Sequence, residues 1–362
     1  MTIEPDVIKR ALSQVLDPAT GRSITTGQLR AVEIDGDRVE LAIDLISPGY
    51  PLLDELEAAV RGALAELPGV GSVAINYGLK VPSKPARQDL NRLPTVKNII
   101  AIAAGKGGVG KSTISVNTAM ALHRMGAKVG ILDADIYGPS VPKMLGKPER
   151  ETSTTADGKR ISPANYRGIT VMSVDYFVAP GQAVVWRGPM IHKLLKQFLE
   201  DVAWGELDYL IVDLPPGTGD AQLSLAQLIP ITGAVIVTTP QEVALIDVRR
   251  AVSMFNKLEV PILGVVENMS HYVCPACGHH DNIFASGGGS ALAEEIEAEL
   301  LGSVPIDNRI SYGGEVGVPV VEGAPDSAYA EALTSIAAGA AMAVSILSGT
   351  GPKRSSLLRT IT

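Results

Sequence analysis

With 362 residues, 46% of them hydrophobic, the chain is long enough for about two domains, each able to bury a core. A formal net charge of −8 and an aromatic content of 4% argue against the broad basic field and stacking surfaces of a non-specific nucleic-acid binder. The N-terminus has early acidic residues and no continuous apolar core of a secretory signal, and two cysteines make no disulfide framework, so the cytoplasm is the expected compartment.

Residues 1–81 read as a small α+β domain. A helical pattern (Val7, Ala11, Leu12, Val15, Leu16) precedes alternating stretches at 29–34 and 39–46. A helix over 52–67 is stopped by Pro68-Gly69, and a strand follows at 73–77. Residues 82–97 carry three prolines and little periodicity, which suits a linker. From 98 to 349 short apolar strands alternate with helices, at 99–104, 128–133, 209–213, 234–238 and 262–267. This pattern predicts an α/β domain, a doubly wound and mostly parallel sheet. Residues 151–180 break the rhythm and read as a hairpin insertion. The Ala-rich stretch 330–347 contains Glu331, Thr334, Ser335, Gly339 and Ser345, and reads as a packed helix rather than a membrane span.

The strand at 99–104 runs into GKGGVGKST, a P-loop in the required strand–loop–helix context. Gly105, Lys106, Gly107, Gly108, Val109, Gly110, Lys111, Ser112 and Thr113 form the expected phosphate cradle. Glycines let backbone N–H groups approach the oxygens, and the following helix adds its positive end. Lys111 is expected on the β- and γ-phosphates, the Ser112 hydroxyl on Mg²⁺ and Thr113 on the α-phosphate. Asp133 and Asp135 end one strand, and Asp213 ends another ahead of LPPGTGD. Strand carboxyl ends are where open α/β sheets bind ligands, so these acids should converge on the phosphate. Asp213 fits the Mg²⁺-organising acid. Asp135 is a candidate for positioning the attacking water and Gly217 for sensing the γ-phosphate, whereas a bland reading makes each acid a local cap.

The extra lysine, Lys106, resembles the deviant P-loop of the MinD/ParA class of dimerising ATPases. That resemblance implies a lysine acting across the dimer on the partner's nucleotide. LDADIYGPSVPKMLG (132–146), VDLPPGTGD (212–220), TTPQEVALIDVRRA (238–251), ENMS (267–270) and CPACG (274–278) resemble Mrp-type iron–sulfur cluster carrier proteins, in the same order along roughly 98–325. The same resemblance places Asn268 near the adenine, with Pro305 and Asp307 lining the base pocket. Residues 1–81 resemble the SufT-like domain of iron–sulfur assembly factors. They depart from it at Asp17-Pro18-Ala19-Thr20, and at Tyr50, where many members carry cysteine.

Both cysteines and three of five histidines fall within His271–His280, in HYVCPACGHH. The C-x-x-C spacing of Cys274 and Cys277 suits one metal or cluster. Four readings stand: a redox pair, a zinc knuckle with His279 and His280, an inert thiol pair, or a [4Fe-4S] cluster shared by two subunits. In the last, a two-fold dimer supplies four thiolates, and the family resemblance favours it. The resemblance then implies a homodimeric, slow ATP hydrolase that carries a cluster from scaffold proteins to apo-protein clients, with no nucleic acid and no stable membrane association. The rivals are a MinD/ParA-like spatial switch and a zinc-stabilised regulatory ATPase. The tail 350–362, with Leu357, Leu358 and Ile361 at helical spacing, reads as a solvated end, with a MinD-like membrane-targeting helix as the alternative.

Overall fold

The computed structural model describes residues 4–83, 93–178, 188–217, 219–274 and 276–349. Most of the expected linker, the end of the 151–180 insertion, Thr218, Pro275 and the tail lie outside these residues. The described residues fall into two compact units. The first holds those up to 82 together with 341–349, and the second those from 83 to 340.

In the first unit α1 (Pro5–Leu12) and α2 (Leu53–Ala65) cover a three-stranded sheet. Its order is β1 (Leu29–Asp35), β2 (Arg38–Leu45), β3 (Ser72–Leu79), with β1 antiparallel and β3 parallel to β2. β2 alternates, burying Val39, Leu41 and Ile43, while α2 buries Leu56, Val60 and Leu64 at helical spacing. The first helix is shorter than its apolar pattern suggests. Ile8 and Leu12 face the core with Val15, while Val7 and Leu16 are exposed, because the chain turns after Leu12. The two sequence departures of this domain meet in its interior. The buried Asp17 accepts hydrogen bonds from Tyr50 Oη (2.6 Å), Gln28 Nε2 (3.1 Å), and the backbone N–H and hydroxyl of Thr20. Burial first, and then the neighbouring Asp17 carboxylate, keep the Tyr50 phenol protonated.

The second unit is built on β4 (Val96–Ala104), α3 (Lys111–Arg124), β5 (Val129–Asp133), the short α4 (Val141–Leu145), the two-residue strands β6 (Ser153–Thr154) and β7 (Ile161–Ser162), β8 (Ala164–Tyr166) and β9 (Ile169–Ser173). There follow α5 (Gly188–Glu200), β10 (Leu207–Asp213), α6 (Asp220–Leu228), β11 (Gly233–Thr238), α7 (Glu242–Lys257), β12 (Ile262–Val273), β13 (His280–Asp281), α8 (Gly288–Glu295), β14 (Leu300–Ile306), α9 (Asn308–Val316), α10 (Val320–Gly323) and α11 (Ala328–Gly349). Among the described residues the sheet has nine strands in the order β13-β12-β11-β4-β10-β5-β9-β8, with β14 also on β12. Only β8 and β13 run antiparallel to their neighbours. β5, β10 and β11 are buried at every position, as expected of parallel strands covered on both faces. β10 lies between β4 and β5, so the crossover through α3 opens a crevice at the carboxyl end of β4, where the P-loop sits.

Three segments differ from the sequence expectation. The insertion is two hairpins, β6–β7 and β8–β9, and β9 joins the main sheet beside β5 because Ile169, Val171 and Met172 are apolar enough to be covered. β12 continues six residues past Glu267, where only a loop was expected. The end of α11, read as part of the second domain, packs into the first unit. Met342 and Ile346 join Leu12, Leu41, Leu56 and Leu64, and Ser345 Oγ donates to Ile46 O (2.8 Å). Ala328–Ser348 is the one helix among the described residues long and apolar enough to cross a membrane, and most of its apolar core is buried.

Candidate functional site

The P-loop folds as its glycines dictate. Gly108 (φ 80°) and Gly110 (φ 85°) adopt the left-handed conformation that favours glycine, and Gly110 caps α3. Gly105 serves packing: a Cβ there would lie 2.4 Å from the Asp247 and Val248 backbone of α7. Val109 is buried and Gly107 is open toward Pro216. Lys111 opens α3 and is buried, with Nζ 2.8 Å from Asp213 Oδ2, 3.2 Å from Ser112 Oγ and 3.7 Å from Asp135 Oδ2. Asp213, fully buried at the end of β10, also accepts from Ser112 Oγ (2.6 Å) and Ser115 Oγ (2.5 Å). Ser115 was not singled out from sequence. Its signal is the spacing, three residues after Ser112 and so on the same face of α3.

A second buried carboxylate adjoins the first. Asp133 accepts from the backbone N–H groups of Asp135 (3.2 Å) and Val141 (3.3 Å) and from Ser173 Oγ (3.1 Å). Burial, and then the Asp213 charge, push its carboxyl up to about 8, against the pull of Lys111. Asp135 is raised as well, again by burial first, with Lys111 opposing. Two acids thus face one ammonium group with a third carboxyl close by, an arrangement that favours the arrival of further positive charge.

The remaining expected residues are spread around this centre. Lys106 is half-buried and has no ion-pair partner among the described residues; Thr113, also half-buried, lies in the first turn of α3. Gly217 donates its N–H to Ala104 O (3.1 Å) with φ 97°, placing the turn after β10 against the strand that feeds the P-loop. Asn268 Nδ2 donates to Val109 O (2.8 Å), so it touches the P-loop backbone itself. Pro305 is the penultimate residue of β14, and Asp307 caps α9 through Arg309 N (2.7 Å). Burial alone would raise the Asp307 carboxyl, but hydrogen bonds from Arg309 hold it below the usual range. Tyr137, two residues beyond Asp135, is exposed and lines a cleft of about 440 Å³ with Ile191, His192 and Leu225.

The cysteine loop hangs between β12 and β13. Val273 pairs with His280, Cys274 N–H donates to His279 O (2.9 Å), and Gly278 N–H donates to Cys274 O (2.8 Å) with Gly278 at φ 72°. The tight turn leaves Cys277 exposed and Cys274 half-buried. Backbone N–H groups of Ala276 and Cys277, and the Cys277 thiol, hold the Cys274 thiol below its usual range. The His271 and His280 rings stack at 5.3 Å. No group of three or more His, Cys, Asp or Glu side chains able to hold a metal occurs among the described residues. The four donors of a zinc knuckle are therefore not gathered within one chain.

This sheet, with its phosphate loop at the carboxyl end of β4 and two acids facing the loop lysine, is that of a P-loop NTPase. Residues 95–341 match the family model described as NUBPL iron-transfer P-loop NTPase, and residues 5–75 match that of an iron–sulfur cluster assembly protein. An iron–sulfur cluster carrier protein from Deinococcus radiodurans is 46% identical over 344 residues, spanning 94% of this chain and 96% of that one. A nucleotide-binding protein from Archaeoglobus fulgidus, solved in complex with ADP, is 38% identical. It has a TM-score of 0.57 and covers 64% of this chain and 92% of its own. The cell division ATPase MinD of Pyrococcus furiosus shares the fold at 24% identity and TM-score 0.50, over 67% of this chain and 97% of its own. The chain belongs to the iron–sulfur cluster carrier family, with a nucleotide-binding P-loop NTPase domain and an N-terminal iron–sulfur assembly domain.

Proposed function

We propose that the protein is an ATP-dependent carrier that holds a [4Fe-4S] cluster between the CPAC loops of two identical subunits and hands it to apo-proteins. The observation that carries this reading is the pair Cys274 and Cys277 on a tight turn, with no further ligand gathered beside it among the described residues. One chain offers half the thiolates of a cubane, and a two-fold partner supplies the other half. The exposed Tyr137 and its cleft give the nucleotide-bearing chain an apolar surface suited to such a partner.

At the phosphate site Lys111 exchanges Asp213 for the β- and γ-phosphates, while Gly107, Gly108 and Gly110 present backbone N–H groups. The hard oxygens of Ser112 and Asp213 suit Mg²⁺ and would hold it, and it would supply positive charge to the phosphates. Asp135 orients the attacking water, and Lys106 reaches the nucleotide of the partner subunit. Asn268, Pro305 and Asp307 border the base. Among these groups none is a strong general base, so hydrolysis is slow and rests on positioning. Residues 1–81 form a recruiting or regulatory domain, 82–97 a linker and 98–340 the ATPase body. The reactions take place in the cytoplasm.

Anaerobic reconstitution with iron and sulfide tests the reading. About four iron per dimer are expected, and Cys274→Ala, Cys277→Ala and the double variant should lose them alike, because symmetry doubles each change. One tightly held zinc per chain without iron uptake would overturn the assignment.

A further inference from the structure

β12 is a single strand that touches the P-loop at one end of its second half and carries the cysteine turn at the other. At the near end Asn268 Nδ2 donates to Val109 O (2.8 Å), and the position a Cβ would take on Gly110 lies 2.1 Å from that same amide. The loop therefore has no room to move toward β12 without displacing Asn268. At the far end Tyr272 and Val273 pair with Asp281 and His280, which frame Cys274 and Cys277.

Between the two ends the strand is irregular. β12 advances four residues, from Asn268 to Tyr272, while the neighbouring β14 advances only two, from Val304 to Ile306. The surplus is taken up in a bulge opened by Met269, whose φ of 56° lies in the left-handed region that an unbranched side chain adopts only when held there. The bulge sets how far the cysteine turn projects beyond β14. On its other side the bulge adjoins the contact of Asn268 with Val109 O, which lies in the loop whose N–H groups would face a phosphate.

We infer that the Met269 bulge is the element that transmits nucleotide occupancy to the cysteine turn, by exchanging a bulged for a more regular β12 when the Asn268–Val109 contact changes. Met269 acts as a positioning residue, through Tyr272 and Val273. The inference rests on the carrier reading, with nucleotide at the P-loop and the cluster at the two thiols. Because methionine resists the left-handed conformation, the bulge is poised to relax. Glycine there would remove that drive, and a β-branched valine would strengthen it.

The test uses the full-length apo-protein under anaerobic conditions. The alkylation rates of Cys274 and Cys277 by iodoacetamide are read by mass spectrometry without nucleotide, with ADP·Mg²⁺ and with ATP·Mg²⁺. Nucleotide affinity and reconstituted iron are measured on the same preparations. Wild type should change thiol reactivity about fivefold or more on nucleotide binding, as expected of a shifted two-state element. Met269→Gly should bind nucleotide and iron like wild type yet keep its thiol rates within about 1.5-fold whatever is bound, the drive to switch being gone. Nucleotide-free Met269→Val should already show the rates of nucleotide-bound wild type. A wild-type response retained in Met269→Gly, or thiol rates in wild type that ignore bound nucleotide, would overturn the inference alone. Failure to bind nucleotide or iron would overturn the carrier reading and this inference with it.

Discussion

Lys111 and Asp213 form a buried ion pair, 2.8 Å apart, with Ser112 and Ser115 also donating to the carboxylate. Removing one partner of such a pair strands a buried charge, which costs about 3–5 kcal/mol. Lys111→Ala should therefore abolish hydrolysis and also lower the stability of the nucleotide-free protein by that amount in urea unfolding. An unaltered midpoint would show that the pair is not the main partner of Asp213. Asp133 allows a second prediction, from pH. Its carboxyl is raised to about 8 by burial and by Asp213, well above an unfolded aspartate. Between the two values the folded protein binds the extra proton, so the stability this group contributes is full at low pH and is lost as pH rises through its folded value. Wild type should lose up to about 1.4 kcal/mol per pH unit from this group between about pH 5 and 8. Asp133→Asn, which stays neutral, should flatten that slope in denaturation curves collected across the range.

At the scale of elements, β4, α3, β10 and β11 were legible because covered parallel strands leave continuous apolar runs and the P-loop marks the start of α3. The association of Lys111 with Asp213 followed from the rule that strand carboxyl ends converge. Ser115 and Ser173, which hold Asp213 and Asp133, did not stand out, since a serine's role depends on which buried acid its helix or strand happens to face. The extension of β12 to Val273 was also hidden, because Asn268, Ser270 and His271 interrupt its apolar pattern and its pairing comes from β13 and β14. Gly105 illustrates a different limit. Motif spacing assigns it to phosphate, whereas the fold needs it glycine so that the end of β4 can meet the α7 backbone. Gly105→Ala forces two backbones apart, and overpacking of this kind costs about 1–3 kcal/mol. The expected outcome is a lowered melting temperature for the nucleotide-free protein; a purely phosphate-contacting glycine would leave that temperature unchanged.

For the whole molecule the consequence lies in the C-terminal helix. Periodicity could assign 328–349 to the domain that precedes it in the chain, but it could not show that Met342 and Ile346 complete the core of the first unit. This sets where the protein can be cut. A fragment of residues 93–340 keeps the P-loop, Asp213, Asn268 and the cysteine turn within its own unit, and should fold and bind nucleotide as the full chain does. Extending it to 349 adds no catalytic group and bares two large apolar side chains that are buried in the intact protein. An exposed pair of this kind favours self-association. The 93–349 fragment should therefore elute with a larger aggregated fraction than 93–340 in size-exclusion chromatography, at equal nucleotide affinity. Residues 4–82 alone should be less stable than the same unit in the full chain, because each missing aliphatic side chain leaves a cavity costing about 2–5 kcal/mol. Supplying a synthetic peptide of residues 337–349 should restore part of that stability, with protection scaling with peptide concentration. Equal melting temperatures for the 4–82 fragment with and without the peptide would show that the helix end is an appendage of that core and not a component of it.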